Sequence, residues 1–304
     1  MTPDPRALIV LLMSASEAQA ELLAPGQSRR DLPFEVVDQR PMLAARIAGT
    51  SGRMMFDTGT PEVVFLNREA LALPEGKVVG KGFAASGQPI EVHLHDAPPV
   101  EIAGQAVVTG PVVASGNFGF VESAYGADYL GFIGMPAVGG GAFVLDYGRN
   151  LLTVLATDAD GTLREPPPAA ADVMAHLTFS LIDGEQPTTG AFIGTLPVVL
   201  DFDTGDQGTL FLRTETQTRL LADGNLVATG TGAVLTGVTF GGTTFSDLAV
   251  RLVEAGGPED KRPWPGSDGL RLGADFLSGH PSLWNMPAGT ITLLRPGSPF
   301  LSPR

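Results

Sequence analysis

The chain has 304 residues, 43% of them hydrophobic and only 17% charged, which is enough apolar material for a sizeable core and excludes global disorder. A formal net charge of −14 speaks against a nucleic-acid backbone as partner, because phosphate binding needs basic stripes. The absence of cysteine excludes disulfides, thiol nucleophiles and Cys-ligated zinc, while 39 glycines and 25 prolines favour short strands and tight turns over long helices.

Taken in chain order, the first predicted element is an export signal over residues 1–20. Arg6 precedes the apolar run 7–13, and Ala18-Gln19-Ala20 forms a small-x-small cleavage site, although Asp4 sits where a basic residue is usual. This predicts a periplasmic or secreted protein, with cytoplasmic retention as the alternative. The run is too short to span a bilayer and no later segment is long enough, so no membrane span is expected.

Next come strand-like segments around Leu32-Pro33-Phe34, Ala45-Arg46-Ile47 and Met54-Met55-Phe56, the last running into Asp57-Thr58-Gly59. A short helical pattern follows at 67–73. His93 and His95 alternate on a strand and share one face; they are taken as exposed polar residues rather than metal ligands, since no third ligand is near in sequence. Further strands are expected at 111–114, 131–135 and 151–155. Three consecutive prolines, Pro166 to Pro168, then mark a linker over 158–172.

Beyond the linker the pattern starts again. Leu177-Thr178-Phe179 echoes Leu32-Pro33-Phe34, and Ala191-Phe192-Ile193 echoes Ala45-Arg46-Ile47. Leu200-Asp201-Phe202-Asp203-Thr204-Gly205 echoes 54–59, and Phe211-Leu212 echoes Phe65-Leu66. Leu270-Arg271-Leu272-Gly273 echoes Gly131-Phe132-Ile133-Gly134, and 290–294 echoes 151–155. A helix is expected at 214–222 and a solvated loop over the charged stretch 254–262. The two tryptophans, Trp264 and Trp284, are read as core or groove aromatics. Two duplicated halves are therefore expected, 21–157 and 173–304.

One Asp-Thr-Gly tripeptide is weak evidence, since the same residues make an ordinary turn. Two copies, each after an apolar strand and each followed by an apolar-x-Gly, form a constellation that resembles the pepsin and retropepsin families of aspartic peptidases. The resemblance covers the chain from about Leu32 onward. It implies an all-β fold of two duplicated β-barrel lobes, related by a pseudo-two-fold axis, with a cleft between them. It also implies Asp57 and Asp203 as the catalytic pair. Thr58 and Thr204 would bond across the lobes, Gly59 and Gly205 would present backbone N–H groups, and Gly134 and Gly273 would let a second strand pass beside each Asp loop. The family's β-hairpin flap would fall on residues 79–88, with Phe83, Ser86 and Gly87, and its echo on 226–236, without the tyrosine typical of pepsins; an ordinary surface hairpin is the alternative. The implied activity is endopeptidase action on a peptide or unfolded protein by a monomer, with no metal or cofactor.

Physically, two carboxylates at one spot cannot both ionise, so they share a proton over a water molecule; aspartic proteases are the standard example of that rule. The halves differ after Asp-Thr-Gly: Thr60 is placed to bond Asp57, whereas the second half has Asp206, with Asp201 on the same strand face as Asp203. Another carboxylate about 5 Å away costs about 3 kcal/mol at an effective dielectric of about 20. The second half is therefore expected to hold the proton, unless Asp206 marks a decayed site. The alternatives are a catalytically silent peptide-binding or sensing module of the same fold, or a β-rich structural domain whose Asp-Thr-Gly turns are only turns.

Overall fold

The structure is a computed structural model and describes residues 22–24, 26–84, 88–138, 140–182, 186–230, 232–253 and 268–303, with backbone alone for 83, 182 and 186. The expected export signal, the tip of the 79–88 hairpin with Ser86 and Gly87, the loop at 254–262 and Trp264 lie outside these residues or largely so.

The chain is built from strands, and the strands obey the duplication. Among the described residues there are two ten-stranded sheets with the same internal order. In the first, Thr50–Asp57 lies antiparallel to Arg40–Ile47 and parallel to Tyr129–Gly134. In the second, Leu196–Phe202 lies antiparallel to Gln186–Ile193 and parallel to Gly269–Leu272. The parallel pairs are buried on both sides, as parallel pairing demands: Met54, Met55 and Phe56 in one half and Leu200, Asp201 and Phe202 in the other are nearly inaccessible.

The pairing path of each large sheet is open at both ends among the described residues, so hydrogen bonding closes no barrel. One end is the hairpin Lys77–Phe83 with Pro89–Asp96, matched by Leu226–Ala228 with Ala233–Leu235. The other is a hairpin of three-residue strands, Val100–Ile102 with Gln105–Val107, too short to reach back across the sheet.

A third sheet of six antiparallel strands joins the halves, three strands from each, in the order Arg29–Pro33, Leu151–Leu155, Ala142–Asp146, Ser282–Asn285, Thr290–Leu294, Val173–Thr178. The order is a palindrome of equivalent strands. Val144 and Leu283, equivalent by the repeat, pair directly at its centre, so the pseudo-two-fold passes between them. On this sheet Phe143 stacks on Trp284 with centroids 5.2 Å apart. Phe56 meets Phe143 edge-on, and Phe202 meets Trp284 in the same way. The residue before each motif aspartate is thus anchored on the seam.

Several sequence expectations change. The helix at 214–222 is present as Thr214–Ala222, but 67–73 is not helical: Asn67 ends a strand and a turn follows. There the Asn67 side chain accepts from the N–H of Glu69 and of Phe118, and Pro74 closes the segment, so no helix can propagate. The ladder register replaces Phe211-Leu212 with Thr209-Leu210 as the counterpart of Phe65-Leu66, because Phe132 pairs with Phe65 and Arg271 with Thr209. His95 is buried rather than exposed, its ring nitrogens 2.7 Å from the Pro74 carbonyl and 2.7 Å from Ser115 Oγ. Residues 158–172 hold a tight turn, an isolated bridge and one 3-10 turn between two strands of the shared sheet. No described helix is long and apolar enough to cross a membrane.

Candidate active site

Each motif aspartate sits where a buried strand runs out at the junction of the halves. Behind each loop passes a second strand that must carry glycine. A Cβ on Gly134 would lie 2.2 Å from the Glu62 carbonyl oxygen and 2.3 Å from that of Thr60. A Cβ on Gly273 would lie 2.2 Å from the Asp206 carbonyl oxygen. No side chain fits such gaps.

The loops are tied to each other through their threonines. The Thr58 N–H donates to Thr204 Oγ1 at 3.0 Å, and the Thr204 N–H donates to Thr58 Oγ1 at 3.1 Å. Each hydroxyl donates onward across the axis, Thr204 to the Phe56 carbonyl at 2.7 Å and Thr58 to the Phe202 carbonyl at 3.3 Å. Both residues are buried, so every one of these groups depends on the other half for its partner. A further tie comes from Arg40, whose Nε donates to the Gly205 carbonyl at 3.3 Å while Nη1 pairs with Asp38 at 3.1 Å.

The grip sets the carboxyls side by side. Gly59 N–H donates to Asp57 Oδ1 at 2.8 Å and Gly205 N–H to Asp203 Oδ1 at 2.9 Å. The spot a Cβ of Gly205 would fill is 2.9 Å from Asp57 Oδ1 and 3.2 Å from Asp203 Oδ1, so both inner oxygens crowd one glycine. Burial first, and the charge and contact of Asp203 second, push the Asp57 carboxyl up to about 7, against the hydrogen bonds from Thr60 and Gly59. Gly59 is exposed and Asp57 partly so; the pair meets solvent on that side.

The outer oxygens distinguish the halves. Thr60 Oγ1 donates to Asp57 Oδ2 at 2.6 Å. Asp206, in the same place in the second half, turns away: its Oδ1 accepts from the Gly208 N–H and from Thr209 Oγ1, both at 2.8 Å. Asp203 Oδ2 instead faces Arg271 Nη1 at 3.0 Å. Arg271 is 2% exposed, and it also binds Asp201, with Nε 3.0 Å from Oδ1 and Nη2 2.8 Å from Oδ2, while Nη1 lies 3.8 Å from Asp206 Oδ2. Burial opposes the charge of the guanidinium, but Asp201, Asp203 and Asp206 together hold its pKa above the ordinary value.

The acidic crowding expected in the second half is therefore compensated from within, by the Arg271 guanidinium. The cation lies on Asp203, and the carboxyl pushed toward neutrality is that of Asp57.

Sequence reasoning passed over Arg271, although it stood inside a repeated motif. Register places Arg271 opposite Asp201, where the first half has Phe132 opposite Met55. Opposite charges replacing an apolar pair at matched positions of a repeat were the available signal.

Thr58, Gly59, Thr60, Thr204, Gly205, Gly134 and Gly273 all lie at the two loops with Asp57 and Asp203, and Asp206 lies there facing Arg271 and Thr209. Phe83 ends the strand Lys77–Phe83 at an end of the first large sheet, paired with Pro89. Among the described residues no group of three or more acidic or histidine side chains is arranged to hold a metal ion.

No protein-family model and no curated protein sequence matches the chain. Solved structures do. The aspartic proteinase from Irpex lacteus superposes with a TM-score of 0.54 at 14% identity, covering 90% of this chain and 99% of that one. At that identity the likeness establishes the fold, that of a two-lobed, pepsin-like β protein.

Proposed function

We propose that the chain is an aspartic endopeptidase that hydrolyses peptide bonds in extended segments of peptide or unfolded protein laid across the junction of its halves. The observation that carries this reading is the pairing of Asp57 and Asp203 under the crossed Thr58–Thr204 bonds, with burial and Asp203 raising Asp57 to about 7. In the reaction, ionised Asp203 takes a proton from a water molecule as its oxygen attacks the peptide carbonyl carbon. Asp57 gives its proton to the carbonyl oxygen, producing a tetrahedral diol. Asp203 then passes its proton to the leaving nitrogen as the C–N bond breaks, and Asp57 recovers a proton from the diol. Both carboxyls come from one chain, so a monomer suffices.

One observation favours a second reading, a silent peptide-binding module: an ion-paired carboxylate is a weaker base, and Asp203 is ion-paired with Arg271. The contact falls on Oδ2, which leaves Oδ1 beside Asp57 for the water. Cleavage of an unfolded protein across a pH series, with and without a transition-state peptide inhibitor, separates the two. Asp57→Asn and Asp203→Asn are each expected to lower kcat at least about 1000-fold in folded protein. Full cleavage by either variant, or inhibitor binding by wild type without cleavage, overturns the peptidase reading.

A further inference from the structure

The two halves present one face of their large sheets to the catalytic loops, and the same row of positions can be followed across both. In the first half the row reads Met42, Met55, Phe132, Phe65, Ala114. In the second it reads Thr188, Asp201, Arg271, Thr209, Arg251. An apolar row has become a polar one, with a buried ion pair at its centre and two threonines and an arginine continuing it. Arg251 reaches Thr209 Oγ1 at 3.1 Å, and Thr209 in turn donates to Asp206. Burying an ion pair is costly compared with an apolar pair of similar size, and the first half shows that the fold accepts the apolar pair. The charged version therefore calls for a reason beyond packing.

We infer that Arg271 is a positioning residue for the dyad: it replaces the hydroxyl donor that Thr60 supplies in the first half, fixes the negative charge on Asp203, and so assigns the acid role to Asp57 and the base role to Asp203. This rests on the peptidase reading for its catalytic consequence, but the proton's location is a property of the resting site. A dyad flanked by two hydroxyls is nearly symmetric, and its proton has no strong preference. Here Asp57 has a neutral donor on its outer oxygen and Asp203 has a cation. Asp201 holds that cation through three hydrogen-bonded contacts to Nε and Nη2, which leaves Nη1 to face Asp203 and Asp206.

The other charged and titratable groups around the dyad do not reproduce this bias. Arg40 is paired with Asp38 and bonds the Gly205 backbone. Tyr125, Tyr129 and Tyr147 are held above the ordinary phenol value, chiefly by burial, and stay neutral. Arg251 is directed to Thr209. Among the described residues, Arg271 is the cation seen in ionic contact with a dyad carboxyl.

The Arg271 guanidinium, 3.0 Å from Asp203 Oδ2, favours negative charge on that carboxyl over its partner. The upper limb of the pH–rate profile then follows Asp57, near neutrality.

The test uses the register of the first half as its guide. In full-length protein, Asp201→Met with Arg271→Phe removes both buried charges together, and Arg271→Lys keeps the charge but loses the fork. The lower limb of log(kcat/KM) against pH is expected to rise by at least about one pH unit in the double variant and by less in Arg271→Lys. A folded double variant with an unmoved lower limb overturns the proposal. Independently of turnover, 13C-carboxyl NMR of aspartate-labelled protein, assigned with Asp57→Asn and Asp203→Asn, reads which carboxyl titrates last. Asp57 last supports the proposal. Asp203 last overturns it while leaving the peptidase reading intact. If Asp57 titrates last but wild type cleaves nothing at any pH, the peptidase reading falls and the charge assignment stands. Should the double variant fail to fold, the titration order in wild type decides.

Discussion

Thr60 and Asp206 occupy the same place after the two Asp-Thr-Gly motifs, yet only Thr60 turns its side chain to the neighbouring motif carboxyl. The Thr60 hydroxyl holds Asp57 Oδ2 at 2.6 Å and favours its ionised form. Thr60→Val removes that donor at little change in volume. The upper limb of the pH–rate profile is expected to move to higher pH, by about half a unit to one unit, with the lower limb much less affected. A downward move would contradict the assignment of that limb to Asp57.

The crossed threonines should be worth more to stability than their exposed counterparts elsewhere. Thr204→Val leaves the Thr58 N–H and the Phe56 carbonyl without partners in a buried place. The expected loss is about 2–4 kcal/mol, read as a lower urea midpoint with an unchanged slope. Thr204→Ser, which keeps the hydroxyl, should recover most of it.

Glycines at the loops divide by what an added methyl group would strike. At Gly273 it meets main-chain atoms of Asp206 and Gln207, neither of which can step aside. Gly273→Ala should therefore fail to yield folded protein, by circular dichroism and proteolysis. At Gly59 the nearest atom is Asp203 Oδ2, at 2.9 Å. Gly59→Ala should fold with a near-normal melting temperature and lose at least about 100-fold in kcat, because a misplaced carboxyl spoils the geometry of attack.

Stability should itself report the dyad. The Asp57 carboxyl is raised from 3.8 to about 7 by burial and by Asp203, so the folded chain binds this proton more tightly than the unfolded one. The contribution is complete below about pH 4 and is lost as pH rises through about 7, amounting to a few kcal/mol at most. Asp57→Asn removes the titration. Its melting temperature, compared with wild type at pH 4 and at pH 8, should gain most at the higher pH; an equal difference at both would dispose of the linkage.

What could be read from the sequence was whatever the backbone dictates locally and the duplication repeats. The Asp-Thr-Gly turns, the glycines at 134 and 273, and the succession of strand-like segments along the chain are local properties, and two copies made each of them visible. The Asp201–Arg271 pair is of another kind: its members are 70 residues apart and meet only because a crossover connection lays their strands parallel. The failed helix at 67–73 shows the limit of periodicity over short windows, where one asparagine side chain and a following proline outweigh the apolar spacing. The slip from Phe211 to Thr209 has a similar cause: apolar residues on adjacent positions fit either register until the neighbouring strand chooses.

The six-stranded sheet makes the halves mutually dependent for a reason unrelated to chemistry. Among the described residues its central pairing, Ala142–Asp146 with Ser282–Asn285, is the only ladder in that sheet between strands of different halves. Separated there, each half would bare a flat, apolar rim of unpaired main chain, and the nearest complementary surface would be its own twin. A fragment ending in the proline stretch is thus inclined to self-associate in the two-fold manner that the intact polypeptide achieves by length alone.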